Sequence, residues 1–135
     1  VNPNTAFLDT AGLIAVWNAD DQWHPLAKPV FAGLVRSKSS LLTTSLVLME
    51  CANTAARRPF RNDVILLRDR LKTARMLIDP TEDDLEQAWR AYARGEAGQA
   101  GIVDHVSFVV MRRLGLTQAF TNDAHFRAAG FVTLF

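Results

Sequence analysis

A single cysteine in 135 residues excludes an intramolecular disulfide, and Cys51, set within Leu46-Val47-Leu48-Met49-Glu50-Cys51-Ala52, reads as a small buried hydrophobe. With only His24, His105 and His125 beside it, there is no zinc-type Cys/His cluster. No apolar run approaches the ~20 residues that span a bilayer. The opening Val1-Asn2-Pro3-Asn4-Thr5 is polar and uncharged, so we expect no signal peptide, no membrane contact and a cytoplasmic protein. Internal repeats, low-complexity tracts and linkers are also missing. Residues 1–135 are therefore expected to form one domain, long enough to bury a core.

The formal net charge of +1 conceals an uneven distribution. Between Ala52 and Arg75 stand Arg57, Arg58, Arg61, Arg68, Arg70, Lys72 and Arg75 against Asp63 and Asp69, seven bases less two acids, a local net of +5. Asp79 to Glu86 then holds five acids and no base. On charge alone these are two solvated helix faces. Beside an acidic metal site, the basic segment would suit a polyanionic substrate.

Short apolar runs alternate with longer helical stretches. Strands are expected at Thr5–Leu8, Leu41–Thr44, Arg75–Ile78, Ala119–Thr121 and Phe131–Leu134. Helices are expected over Ala11–Ala19, from near Pro25 to about Arg36, over Leu46–Ala56, after Pro59 with Asn62 or Asp63 as cap, and from Pro80-Thr81 through Tyr92. Two more follow a glycine-bearing loop at 95–101: Ile102–Leu114, closed by Gly115, and Ala124–Ala129. This alternation argues for an α/β fold with a mainly parallel sheet, whose ligands bind at the carboxyl ends of the strands.

Four carboxylates stand where such an edge could gather them: Asp9 after Ala6-Phe7-Leu8, Glu50 in an apolar helix, Asp104 at the start of Asp104-His105-Val106-Ser107-Phe108, and Asp123 after Phe120-Thr121-Asn122. A lone charge buried among apolar groups is costly, so acids so placed point to a shared cation. Each has a plainer use. Asp9 and Asp123 can cap the helices that follow them, and Asp104 suits the positive end of a helix. Glu50 is the hardest to explain that way. Thr10, Thr44, Ser107 and Thr121 can orient an acid, or cap and pack. Asn122 can contact phosphate or satisfy a turn. The three histidines suggest no ligand set, and His125 reads as a packed or loop residue. Trp17, Trp23 and Trp89 fit core or dimer packing better than base stacking.

The ordered set Phe7-Leu8-Asp9-Thr10, Thr43-Thr44 with Glu50, Val103-Asp104-His105-Val106-Ser107-Phe108 and Phe120-Thr121-Asn122-Asp123-Ala124-His125-Phe126-Arg127-Ala128-Ala129-Gly130-Phe131 spans the chain. It resembles the PIN-domain ribonucleases, most closely bacterial toxins of VapC type. The resemblance implies a three-layer sandwich, with a mainly parallel central sheet flanked by helices and the acids in a cleft. It implies Mg²⁺- or Mn²⁺-dependent hydrolysis of RNA phosphodiesters, with Asp9, Glu50, Asp104 and Asp123 as catalytic and metal-binding residues. It also implies a homodimer neutralised by a cognate antitoxin. The stretch Gly98-Gln99-Ala100-Gly101-Ile102-Val103 before Asp104 departs from the family pattern in being richer in glycine and less polar.

A catalytically inactive module of the same fold, binding RNA or protein, is the main alternative. Cleavage of DNA would use the same metal chemistry. A dehalogenase-type phosphatase would want an acid at position 11, where Ala11 stands. A receiver domain would want a late lysine, and Lys72 is the last.

Overall fold

The computed structural model describes residues 1–135. In chain order the elements are β1 (Ala6–Leu8), α1 (Thr10–Trp17), α2 (His24–Arg36), β2 (Leu41–Thr44), α3 (Ser45–Ala55), α4 (Arg61–Thr73), β3 (Leu77–Ile78), α5 (Glu82–Ala93), α6 (Glu96–Gln99), α7 (Ile102–Leu114), β4 (Gln118–Phe120), α8 (Ala124–Ala128) and β5 (Val132–Thr133). The five strands form one sheet in the order β3-β2-β1-β4-β5, and every pairing is parallel. The expectation of a mainly parallel sheet is thus met by a wholly parallel one. Parallel neighbours need a crossover, and the helices provide it. Covered on both faces, the central strand β1 is a continuous apolar run; Ala6, Phe7 and Leu8 are all fully buried.

The chain runs from β1 outward to β2 and β3, then returns to place β4 on the other side of β1, with Leu8 paired to Phe120. The crevice beyond the carboxyl ends of β1 and β4 is therefore the switch point where an α/β sheet takes a ligand. Phe7, Phe108, Phe120 and Phe126 fill the core behind it.

Two contacts hold this frame closely. Gly12, in α1, lies against the end of β4: a Cβ there would stand 2.1 Å from the Phe120 carbonyl oxygen. Relief must come from backbone rather than a flexible side chain, so Gly12→Ala is expected to lose about 3 kcal/mol or more, the upper end of overpacking. Urea unfolding checks this; a loss under about 0.5 kcal/mol, the size of an ordinary surface change, would contradict the close approach. The second contact ties α5 to α7. Thr81 and Asp84 form a capping box at the start of α5. The buried Asp84 carboxylate also accepts bonds from Arg113 Nε at 2.9 Å and Nη2 at 2.7 Å. That bidentate pair holds the Asp84 carboxyl below the usual carboxylate range. Arg113→Met leaves a buried carboxylate with only its own cap, and is expected to cost about 2–3 kcal/mol. Thermal unfolding of the variant within 2 °C of wild type would contradict it.

Several sequence expectations need correction. The residue preceding α4 is Phe60, with no side-chain capping bond; Asn62 and Asp63 lie inside the first turn. A turn after Arg58 already satisfies the early amides, with Arg61 N–H on the Arg58 carbonyl and Asp63 N–H on that of Phe60. Strand β3 starts only at Leu77, because Arg75 takes a left-handed conformation (φ 58°) and Met76 N–H closes α4 on the Leu71 carbonyl. The expected loop at 95–101 contains α6, a turn in which Gly95, Ala97, Gly98 and Gln99 all have positive φ. No helix is long and apolar enough to cross a membrane.

Candidate metal centre and active site

β1 delivers Asp9 to the switch-point crevice. The residue precedes α1, yet its side chain makes no capping bond. Asp9 Oδ2 instead accepts the Thr121 hydroxyl at 2.8 Å, and the residue is 3 % exposed. Thr121, just beyond β4, also accepts the Asp123 N–H at 3.1 Å. One threonine therefore ties the end of β1 to the start of α8. Glu50, half-buried on α3, accepts the Thr10 hydroxyl at 2.7 Å across the cleft. Asp104 is half-buried in the first turn of α7. Asp123 does cap α8: its Oδ1 accepts the His125 N–H at 2.9 Å and meets His125 Nδ1 at 2.8 Å.

Asp104, Asp123 and His125 each bring one potential ligand atom to within 4.8 Å of the others. Asp9 and Glu50 stand outside that triplet but share its field. Burial, then the charges of Asp104 and Asp123, push the Asp9 carboxyl up to about 7. Burial, then the charges of Asp123 and Glu50, push Asp104 up to about 6. None of Asp9, Glu50 and Asp104 is in a salt bridge. The cleft thus concentrates four carboxylates with no lysine or arginine paired to them and only His125, against Asp123, as a basic neighbour, and a bound cation would supply the missing compensation. The donors are carboxylate oxygens with one imidazole at the margin, a set that suits a hard divalent ion.

Other candidates fall away from this cleft or turn structural. Cys51 is buried, and burial followed by the Asp9 charge pushes its thiol up to about 12, so it is no nucleophile. Ser107 donates back to the Val103 carbonyl at 3.1 Å. Thr44 caps α3 through Val47 N–H. His105 is buried edge-on between Tyr92 and Phe108, and burial lowers its pKa. His24 Nδ1 meets the Ala15 carbonyl at 2.7 Å. Trp17 packs on the core, whereas Trp23 and Trp89 are exposed.

His125 is the residue that sequence reasoning missed. Treated as a packing or loop histidine, it instead sits against Asp123 and beside Asp104. Its one sequence signal is the spacing of two from an acid at a helix start, where the cap turns the later side chain back on the acid. Of the two uses open to Thr10, capping and orienting an acid, the structure shows the second, a hydrogen bond to Glu50.

The chain matches the PIN domain over residues 6–132. It is 34 % identical over 131 residues to the 23S rRNA-specific endonuclease VapC20 of Mycobacterium tuberculosis, in two strains, covering 93 % of this chain and 95 % of that protein. The crystal structure of Mycobacterium tuberculosis VapC20, described as a Sarcin-Ricin loop cleaving toxin, is similar with a TM-score of 0.77 and 30 % identity, over 94 % of this chain and 96 % of that one. DNA-bound VapBC from Salmonella typhimurium is similar in fold, with a TM-score of 0.64 at 14 % identity over 96 % of each chain.

Proposed function

The chain belongs to the PIN-domain family, of VapC type, and from that premise we propose that it is a metal-dependent endoribonuclease, the toxin of a toxin–antitoxin pair, with one nuclease domain over residues 1–135. The observation that carries the chemistry is the cleft in which burial and neighbouring carboxylates, Asp104 and Asp123 for Asp9, Asp123 and Glu50 for Asp104, push both carboxyls up. We assign Asp9, Glu50, Asp104 and Asp123 as its metal-binding and catalytic residues, with Mg²⁺ or Mn²⁺ as the cation. Bound there, a divalent ion supplies neutralisation of the scissile phosphate and a water of lowered pKa.

The protein's share is to gather four acids and to hold three of them in fixed directions. Thr121 fixes Asp9, Thr10 fixes Glu50, and the α8 cap fixes Asp123. Cys51 keeps its proton, Ser107 donates back to the Val103 carbonyl, and the Thr10 and Thr121 hydroxyls serve to orient Glu50 and Asp9. Water is then the nucleophile, and no covalent protein intermediate forms. Exposed Arg57, Arg58, Arg61, Arg68, Lys72 and Arg75 offer the phosphate backbone a cationic approach. Replacing Arg57, Arg58 and Arg61 together by Ala is expected to flatten the dependence of RNA binding on log salt by up to about three units, read by filter binding at several salt concentrations; an unchanged slope would move the RNA path elsewhere.

For partners we propose RNA, a cognate antitoxin and a second copy of this chain. The groove between α3, α4 and β3, about 690 Å³, has Leu48, Met49, Val64 and Ile65 in its wall and Arg68, Lys72 and Arg75 at its rim, a surface suited to an acidic amphipathic segment. The relative's printed specificity makes 23S rRNA the first substrate to try. End-labelled 23S rRNA fragments and matched DNA, incubated with Mn²⁺ or with EDTA, test the reading. Metal-dependent cuts in RNA alone support it. Cutting of DNA would shift the substrate class, and intact RNA with a folded, metal-loaded protein that still binds it would favour the inactive binding module.

A further inference from the structure

The ring of His125 stands between two features that the four-acid scheme leaves unused. On one side is Asp123 Oδ1, 2.8 Å from Nδ1. On the other is the turn of α6, where Gly98, at φ 67°, comes so close that a Cβ would lie 3.6 Å from His125 Cδ2. This is the glycine-rich stretch that departs from the family pattern. Gly95, Ala97 and Gln99 are also left-handed, and a Cβ at Gly98 would stand in ordinary contact with the imidazole. The ring is thus packed on one edge and hydrogen-bonded on another, although its side chain is 41 % exposed.

A carboxylate only accepts, so Nδ1 is the donor. Asp123 Oδ1 then receives two bonds from one residue, the cap N–H at 2.9 Å and the ring. An oxygen with two donors has little left to offer a cation. The other oxygen, Oδ2, makes no hydrogen bond to the protein. Hydrogen bonds of this kind orient metal-ligating groups and choose which atom coordinates. Resting on the metal-site assignment above, we propose that His125 is a positioning residue: through Nδ1 it turns Asp123 so that Oδ2 alone faces the cation, and the left-handed turn at 95–99 buttresses its ring. The imidazole itself does not ligate. The Asp104–Asp123–His125 cluster is then two carboxylate ligands and the group that aims one of them.

The test follows from the shape of the side chains. Asparagine places an amide N–H near the Nδ1 position, whereas glutamine reaches toward Nε2. Mn²⁺ affinity is measured by titration and by the electron paramagnetic resonance of free Mn²⁺, for wild type, His125→Ala, His125→Asn and His125→Gln, with Asp104→Asn as control. His125→Ala and His125→Gln are expected to bind Mn²⁺ about 10–100-fold more weakly, and His125→Asn within about threefold of wild type. Spin-echo spectra of the Mn²⁺-loaded wild type are expected to show no directly bound nitrogen. Wild-type affinity in His125→Ala, rescue by Gln rather than Asn, or a nitrogen coupling of ligand strength would overturn the inference. Wild type that binds no Mn²⁺ would overturn the metal site itself, which separates the two failures.

Discussion

Asp9→Asn is expected to be inactive and, without metal, more stable than wild type. The asparagine oxygen can still accept the Thr121 hydroxyl that Asp9 Oδ2 accepts at 2.8 Å, so the cleft keeps its shape. The buried negative charge is lost, together with its repulsion by Asp104 and Asp123. A rise from 3.8 to about 7 corresponds to roughly 2–4 kcal/mol held against the metal-free fold at neutral pH. For a chain of this size the variant's melting temperature should rise by roughly 6–12 °C. Loss of one carboxylate from the cation site should cost several kcal/mol at the transition state, about 10²–10⁴-fold in cleavage rate. A purely structural Asp9 predicts the reverse pair: lower stability and activity falling only as far as folding does. Differential scanning fluorimetry in EDTA and a cleavage time course on one preparation separate the two.

The gap between Asp9→Asn and wild type should depend on pH in a defined direction. Asp9 and Asp104 are both raised above their ordinary value of 3.8, to about 7 and about 6. Over that interval the folded protein keeps protons that the unfolded chain has released. These groups therefore oppose the metal-free fold least below pH 3.8, increasingly as pH rises, and fully above about 7. The two proteins should be about equally stable near pH 3.8 and diverge from there to pH 7 or above. Saturating Mn²⁺ should close the gap from the wild-type side, by about 2.7 kcal/mol at one hundred times the dissociation constant. Urea unfolding at each pH, with and without Mn²⁺, gives the curves. A gap that is flat in pH, or that widens as pH falls, would place the charge of Asp9 elsewhere.

Sequence periodicity located the elements whose signals are local. The apolar run Ala6-Phe7-Leu8 reads as a buried strand, Pro80-Thr81 marks the start of α5, and Gly115 ends α7 in the left-handed conformation (φ 73°). The short strands were overestimated at their ends, since a parallel strand stops where its neighbour stops: Phe131–Leu134 shrank to Val132–Thr133, paired only with Gln118 and Ala119. The α4 cap was misread because Asn62 and Asp63 are good caps, while the turn at Arg58–Phe60 had already satisfied the amides they would serve. At the site, the four acids could be picked out one by one, because a carboxylate beside apolar runs is conspicuous in a sequence. Which threonine serves which acid could not. Thr121 on Asp9 is a contact across 112 residues and Thr10 on Glu50 one across 40, and no linear pattern encodes either. His125 is close in sequence to its acid, yet the meeting of its ring with Asp123 Oδ1 depends on how the α8 cap turns the side chain back, which the sequence does not state.

The central claim is that one acidic cleft both holds the cation and cuts RNA. Its most direct test is a single Mn²⁺ titration of wild type and Asp9→Asn, in which bound Mn²⁺ and the rate of RNA cleavage are read from the same samples. The account predicts that in wild type the two rise together with one midpoint, and that in Asp9→Asn binding is weakened and cleavage falls by about 10²–10⁴-fold. Cleavage that persists in EDTA, or an Asp9→Asn protein that binds Mn²⁺ and cuts RNA as wild type does, would contradict it.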